Sequence, residues 1–425
     1  MKLFSDLYDI LKAKLTFRFM AMVLQRYGMG LLKAIASICL MIFSSSGAFA
    51  ADEQPKPSPL EITKPDPLLP RQPTKKQPLS PQERQQLQPA LDELNSQATT
   101  QYQAGNKLAA FEIWYRELRL RRFLGVLEEV KALGRVGAIA WQDNQKEGVQ
   151  AITKRLKEIQ QEAQKKPPVD LTLLEAMGQA YQQVRLPGPA LEVYQQLLAD
   201  ARAKQDKARE IQILKLVAEL QLSYFDYPKA AATYEELLNY ALAQGDYLNQ
   251  VVYVQKLADI YDRAKQPKNA LLAKQRLLES YVKSNQVDKI PALKIQIAAD
   301  YELLGQPNEA SRTYQEAYQQ AWDLKQYANV SQALQKLANL YYTRGDRQSA
   351  LQIYRVLLQV EPRSYSFYDL MNTYDRIGQI YLELKDYPQA LAAFQKGLEI
   401  ATALKYQEGY FAAQIDRVQK ESGNR

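Results

Sequence analysis

The sequence predicts an all-α protein, a solenoid of about eight stacked helix pairs, and three observations predict it. Stepping forty residues at a time from Ala98 meets Ala98, Ala138, Gly178, Ala218, Ala258, Ala298, Ala338 and Gly378, all of them small. Twelve residues after each stand Ala110, Gln150, Ala190, Ala230, Ala270, Ala310, Ala350 and Ala390, alanine in seven of eight. Aromatic residues keep the same step. Trp141, Tyr181, Tyr261, Tyr301, Tyr341 and Tyr381 stand three after the small residue, with Gln101 and Gln221 as exceptions; Trp114, Tyr194, Tyr234, Tyr314, Tyr354 and Phe394 stand sixteen after it, with Lys154 and Lys274 as exceptions. Self-similarity at a fixed step is the signature of a repeat architecture, and no insertion interrupts this one. Glycine is scarce, at 17 of 425 residues, which also favours helix.

The chain opens outside that pattern. In residues 31–50 an apolar stretch follows Lys33 and ends in Ser-Ser-Ser-Gly-Ala-Phe-Ala, with Ala48 and Ala50 where signal peptidase needs small residues. The stretch is too short to span a bilayer comfortably. Residues 1–50 read as a secretory signal with an extended n-region, cut after Ala50. The alternative is an uncleaved anchor, and Met20, Met22 and Met29 are alternative starts. Ile38 before Cys39 excludes a lipoprotein site. Cys39 is the sole cysteine, so the mature chain holds no thiol and the cysteine says little about redox compartment. The net charge is +8, of which the leader supplies six Lys/Arg against two Asp, leaving +4. That is too mild to indicate nucleic-acid binding.

Residues 51–80 are a proline-rich linker. Pro55, Pro57, Pro59, Pro65, Pro67, Pro70, Pro73 and Pro78 precede Pro81, and proline lacks the amide donor that helix and sheet need. The segment is expected to be an extended, disordered tether; a ligand for a polyproline-reading partner is the functional alternative. Ser80-Pro81-Gln82-Glu83 then announces a helix, with Ser80 as cap, Pro81 at the first position and Glu83 returning a hydrogen bond. The solenoid is expected over 81–425.

Within a repeat, helical spacing puts Ile297, Ala298 and Tyr301 on one face. Gly305-Gln306-Pro307 breaks the helix, and Asn308 begins a second that carries Ala310, Tyr314 and Ala317 on one stripe. Small columns let backbones approach, and aromatic columns fill the volume beside them. One pair cannot bury its apolar face alone, so neighbours must stack. The second repeat, with Gln150 and Lys154 in its columns, is degenerate, a place for a bend or looser packing. A helix over 409–421, with Tyr410, Phe411, Ile415 and Val418 inward and Lys420 and Glu421 outward, is expected to cap the stack.

The pattern small–x–x–Tyr, then Ala, then an aromatic four later resembles the tetratricopeptide repeat family. Gly178, Tyr181, Ala190 and Tyr194 carry it, as do Gly378, Tyr381, Ala390 and Phe394, and Pro362 matches the family's proline after a second helix. The resemblance covers about residues 85–405 and implies a right-handed superhelix, with the forty-residue step making the helices or the turns longer than usual.

Chemistry is sparse. The absence of histidine removes the Ser-His-Asp and Cys-His arrangements and the usual zinc ligand. No phosphate loop, metal-ligand cluster or nucleophile elbow occurs, so no catalytic, cofactor or metal residue is assigned and no cofactor is expected. Glu128-Glu129 and Glu235-Glu236 read as solvated faces, and Arg119, Arg121 and Arg122 as surface charge. Trp114 and Trp141 read as core, and Trp322 as partly exposed at an inter-repeat turn.

What remains is a binding face. The resemblance implies that first helices line a concave groove. The residue after each small residue and the one at the fourth position beyond it then face that groove. The candidates are Gln179, Gln182, Glu219, Asp259, Asp262, Glu302, Asn339, Tyr342 and Gln379, alongside Leu222, Ala299 and Leu382. This surface is amide-rich and acidic in its middle. A clamp for C-terminal carboxylates, known among relatives, is not expected: Lys215 is suitably placed, but Glu219 stands where an asparagine is needed. An extended peptide carrying Lys or Arg, or a folded partner, fits better.

The sequence thus reads as an exported protein-binding scaffold or assembly factor of the bacterial envelope. Its compartment is the periplasm, or the thylakoid lumen in a photosynthetic source. It is not an enzyme, and it has a protein or peptide partner, basic by complementarity, but no nucleic acid. A membrane link would run only through an uncleaved leader, giving an anchored structural scaffold. The other alternative is a subunit of an envelope enzyme acting through Asp259, Asp262 and Glu302.

Overall fold

The structure, a computed structural model, describes residues 58–62, 64–74, 77–165 and 170–423. The expected leader therefore lies outside the described residues, as does 51–57 of the linker. The chain divides into two units, Met1–Glu61 and Ile62–Arg425. Of the first, residues 58–61 form one turn, closed by the Glu61 amide donating to the Ser58 carbonyl at 2.8 Å.

The described part of the second unit is helical, with no strand. The first four helices are α1 (Pro81–Gln103), α2 (Lys107–Arg121), α3 (Val126–Gln142) and α4 (Lys146–Gln164). Then follow α5 (Leu171–Gln183), α6 (Pro187–Ala203), α7 (Lys207–Ser223), α8 (Tyr227–Ala243), α9 (Tyr247–Arg263) and α10 (Pro267–Lys283). The rest are α11 (Ile290–Leu303), α12 (Pro307–Asp323), α13 (Tyr327–Thr343), α14 (Arg347–Val360), α15 (Phe367–Glu383), α16 (Tyr387–Leu404) and α17 (Glu408–Gly423), with 3-10 turns at Val287–Lys289 and Glu361–Ser364. From α5 onward each helix packs on the next, so the fold is an α-solenoid of helix–turn–helix units.

The turns set the metre. A residue with left-handed φ falls every twenty positions from Arg185 to Lys405, among them Gly245, Gly305 and Gly345. After it an Asp caps the next helix by accepting its amide, as Asp206, Asp226, Asp246, Asp346 and Asp386 do. Elsewhere proline opens the helix, as Pro267 and Pro307 do. Helices of mostly 17 residues joined by three-residue turns make the long step, so the helices rather than the turns are extended. At Gly305 (φ +69) an added Cβ would meet nothing within 4 Å. Gly305→Ala therefore isolates backbone strain, with an expected loss of about 1 kcal/mol in urea denaturation. Unchanged stability would contradict the left-handed turn.

The columns behave as expected in most repeats. Ala98, Ala298, Ala338, Ala110, Ala190, Ala230, Ala270, Ala310, Ala350 and Ala390 are fully buried, and so are Trp114, Tyr194, Tyr314 and Phe394 at or near zero exposure. In Gly178 and Gly378 a Cβ would lie 2.8 Å from the Tyr194 ring and 2.6 Å from the Phe394 ring, so a bare backbone makes room for each repeat's own aromatic. Successive repeats are also tied. Tyr261 donates to Glu235 (3.4 Å), Gln275 to the Tyr301 hydroxyl (3.2 Å) and Arg355 to the Tyr381 hydroxyl (2.6 Å), each pair 26 residues apart.

The second repeat breaks register, contrary to the uninterrupted step read from the sequence. Its left-handed residue is Asn144, one short of the place the step from Gly105 requires. Ala138 is half-buried and Trp141 is 49% exposed, with the Arg185 guanidinium 5.2 Å from its ring, so Trp141 is not core. Gly137 and Ala140 occupy the buried places instead, and Gly148 and Ile152 stand in for the exposed Gln150 and Lys154. Packing here is close, not loose. A Cβ on Gly134 would fall 2.9 Å from the Ala180 backbone, and one on Gly137 2.3 Å from Val184, so α3 lies directly on α5. Gly134→Ala is expected to cost about 1–3 kcal/mol through overpacking, despite alanine's better helix propensity. A raised melting temperature would contradict this contact.

Charge at the N-terminal end turns inward, correcting two further readings. Buried Glu117 accepts from Arg121 (2.9 Å) and Arg135 (2.7 Å), and buried Glu129 from Arg155 (2.6 and 3.0 Å). Arg121 and Glu129 are thus not surface charges. The linker reading also changes. Residues 64–74 and 77–80 form no helix or strand, but they are fastened down. Arg116 grips Asp66 with two bonds of 2.8 Å, Arg71 donates to Glu83 and to the Gln77 and Pro78 carbonyls, and Leu68, Leu69 and Leu79 pack with Leu87 and Leu91. Ser80 and Glu83 complete the expected capping box. At the other end α17 caps the stack. Phe411 is fully buried over Gly397, whose Cβ would meet the ring at 2.1 Å, and Val418 is buried. Tyr410 is 39% exposed rather than inward, with its hydroxyl on Asp375 at 2.9 Å.

Candidate binding face

The nine candidate residues all lie on first helices: Gln179 and Gln182 on α5, Glu219 on α7, Asp259 and Asp262 on α9, Glu302 on α11, Asn339 and Tyr342 on α13, and Gln379 on α15. Gln179, Glu219, Asp259, Asp262 and Asn339 are exposed, and Gln182, Glu302, Tyr342 and Gln379 half-buried. Their helical position, one and four residues past a buried small residue, puts them at the edge of the core.

Much of this polarity is already used. The aromatic column of each second helix sends its hydroxyl to the first helix of its own repeat. Tyr194 donates to Gln182 (2.8 Å), Tyr234 to Glu219 (2.5 Å), Tyr314 to Glu302 and Tyr354 to Asn339 (2.7 Å). Burial pushes the Tyr194 and Tyr354 phenols up to about 12, so they act as donors. Lys274, which replaces the tyrosine, donates to Asp262 at 2.7 Å. The acidic middle is neutralised as well: Glu219 pairs with Lys256 (3.0 Å) and Asp259 with Arg263 (3.0 Å). Desolvation opposes it, but the bonds from Tyr234 and Lys256 hold the Glu219 carboxyl below its usual range. Tyr342 donates to Glu383, which also takes Arg347 at 2.7 Å, while the Arg347 guanidinium lies 4.1 Å from the Tyr342 ring.

Farther along, α13, α14 and α15 enclose a cavity of about 350 Å³ lined by Asn339, Tyr354, Asp369, Asn372, Asp375 and Arg376. Of these, only Asn339 is among the nine. Asp369, Asn372, Asp375 and Arg376 lie one to three turns before Gln379 on α15, so extending the i, i+3, i+4 stripe backward from Gln379 would have found them. Gln379 itself donates to Tyr410 and Gln414 of the cap, each at 3.2 Å. Trp322 is 37% exposed beside Tyr318 and Tyr327, under the Arg363 guanidinium at 5.7 Å, at the inter-repeat turn as expected. Lys215, the lone clamp candidate, lies 6.0 Å from the Tyr253 ring. Among the described residues no group of three or more His, Cys, Asp or Glu could hold a metal ion, and no helix is long and apolar enough to cross a membrane.

Stacked helix pairs with a polar first-helix face define the class: an α-solenoid of tetratricopeptide-like helix–turn–helix repeats. Residues 372–403, spanning most of α15 and α16, match the tetratricopeptide repeat family. No curated protein matches the chain. Among solved structures, BtubC from P. vanneervenii is 22% identical, with 52% of this chain and 92% of that chain covered and a TM-score of 0.38. A signal transduction ATPase with a tetratricopeptide repeat sensor from Pyrococcus horikoshii is 15% identical, covering 73% of this chain and half (50%) of that one, at 0.43. The quorum sensor NprR from B. thuringiensis, in its apo form, is 18% identical, covering 69% and 81%, at 0.34. The activities of these proteins do not transfer at such likeness.

Proposed function

We propose that the chain is a non-catalytic protein-interaction scaffold, a forty-residue-step variant of the tetratricopeptide type, that takes a protein or extended peptide along its first-helix face. The observation that supports this is the continuity of that face: from α5 to α15 every first helix presents polar, at least partly exposed residues at equivalent positions. Exposed amides such as Gln179 and Asn339 suit peptide backbone recognition. Its place of action is the bacterial envelope, reached by the leader over 1–50; finding Ala51 as the N-terminus of purified protein tests that part.

The binding face is tested by photo-crosslinking in cells. A photoreactive residue at Gln179, Asp259 or Gln379 is expected to capture a common protein partner, and one at Arg312, on a second helix, is not. Capture from Arg312 alone would place the partner on the opposite face and overturn the reading.

A further inference from the structure

We propose that the cavity between α13, α14 and α15 is the peptide subsite of this face, binding an extended backbone through its amides and seating one lysine or arginine side chain against Asp369 and Asp375. The inference rests on the scaffold reading and deepens it by naming the place and the chemistry.

The contrast with the middle of the face carries the argument. Glu219, Asp259 and Asp262 each have a cation within 3.0 Å. Among the described residues, no Lys or Arg nitrogen lies within 4.0 Å of the Asp369 or Asp375 carboxylate. They are held instead by neutral donors: Ser366 donates to Asp369, and Tyr410 to Asp375 at 2.9 Å. Two fixed carboxylates without counter-ions in one cavity attract a cation.

The amides are prepared for a backbone. Tyr354 donates to Oδ1 of Asn339, which fixes that amide with its nitrogen left as donor. Asn372 lies on the same wall and is exposed. Beneath the cavity, Gln335 and Thr373, which also line it, both donate to Oε1 of Glu361 (3.1 and 2.9 Å). Glu361 is fully buried and its other oxygen has no partner, so a third carboxyl stands behind the first two without a cation. A volume of about 350 Å³ holds a side chain with its flanking peptide units.

The test uses the full chain and a short fluorescein-labelled glycine–serine peptide carrying two lysines, with copies in which glutamate or norleucine replaces lysine, read by fluorescence anisotropy. Asp369→Asn with Asp375→Asn is expected to weaken the lysine peptide about tenfold or more, as is Asn372→Ala. Asp259→Asn is expected to leave it unchanged, and the glutamate and norleucine copies are expected not to saturate. Circular dichroism and the melting temperature confirm that the variants remain folded. Equal affinity in wild type and the double variant, or no saturable binding of the lysine peptide, overturns the inference. Neither outcome touches the scaffold reading, which stands or falls on the crosslinks from Gln179 and Asp259.

Discussion

Replacing Lys274 by methionine is expected to destabilise the solenoid by about 3–5 kcal/mol, the cost of stranding a buried charge. Lys274 lies in α10 at a position where other repeats carry Tyr194, Tyr234, Tyr314 and Tyr354, and it is as buried as they are, at 3% exposure. Its ammonium reaches Asp262 at 2.7 Å, twelve residues back, the same separation that links Tyr194 to Gln182 and Tyr314 to Glu302. The charge therefore takes over the hydroxyl's bond. It also makes a second bond of 2.8 Å, to Asp300, itself 2% exposed. Other repeats place Ala180, Leu220, Ile260, Leu340 or Ile380 where Asp300 stands. Burial holds the Asp300 carboxyl above its usual range even with Lys274 beside it, so removing the lysine leaves an anion with little compensation. The deficit of Lys274→Met should shrink in acid, where Asp300 takes a proton. The decisive comparison is Lys274→Tyr with Asp300→Leu, which restores the residues found elsewhere. That double variant is expected to match the wild type or exceed it by about 1–4 kcal/mol, because a buried ion pair seldom outdoes a packed apolar pair. A single variant as stable as the wild type in urea denaturation would mean the pair is not buried.

The same pair shows how far the fold was legible. The forty-residue step identified the helices because small and aromatic residues are selected by backbone approach and core volume, which recur wherever the unit recurs. Lys274 broke the column on paper but not in space, since its partners came from helices 12 and 26 residues away. Trp141 failed in the opposite sense. It kept the column on paper, but a one-residue displacement of α3 turned it to the surface and moved Gly137 and Ala140 inward. A fixed step cannot register such a displacement when alanine and glycine are dense on both sides of it. The binding face was legible as positions but not as chemistry. Which carboxylates are spent on internal tyrosines and lysines depends on side chains from neighbouring helices, and the cavity acids, Asp369 and Asp375, stood outside the two positions taken from each repeat. Arg121 and Glu129 were misplaced for a related reason: charge runs are usually solvated, and only the packing of α2, α3 and α4 reveals that these pair with each other's neighbours.

The stability of the C-terminal repeats is expected to fall as pH rises from about 5 to 8, and Glu361 is the group responsible. Its side chain has no exposure and accepts two neutral hydrogen bonds on one oxygen, while the other oxygen has none. Desolvation dominates, and the carboxyl is pushed up to about 7 from an ordinary 4.5, with Asp369 adding to the rise. The folded state therefore binds this proton more tightly than the unfolded state does. Below an unfolded-state value near 4.5 the group is protonated in both states and exerts no penalty. Between there and about 7 the unfolded chain ionises freely while the folded chain does not, and stability declines. Above about 7 the whole penalty is present, on the order of 3 kcal/mol. Glu361→Gln keeps the shape and the acceptor for Gln335 and Thr373 but has no proton to lose. Other carboxylates titrate over the same range in both proteins, so the difference between wild type and Glu361→Gln isolates this site. That difference should be small at pH 5 and should favour the glutamine variant by a few kcal/mol at pH 8. A difference that stays constant across this range would show that Glu361 is solvated, and the packing of the 3-10 turn against α13 and α15 would have to be redrawn.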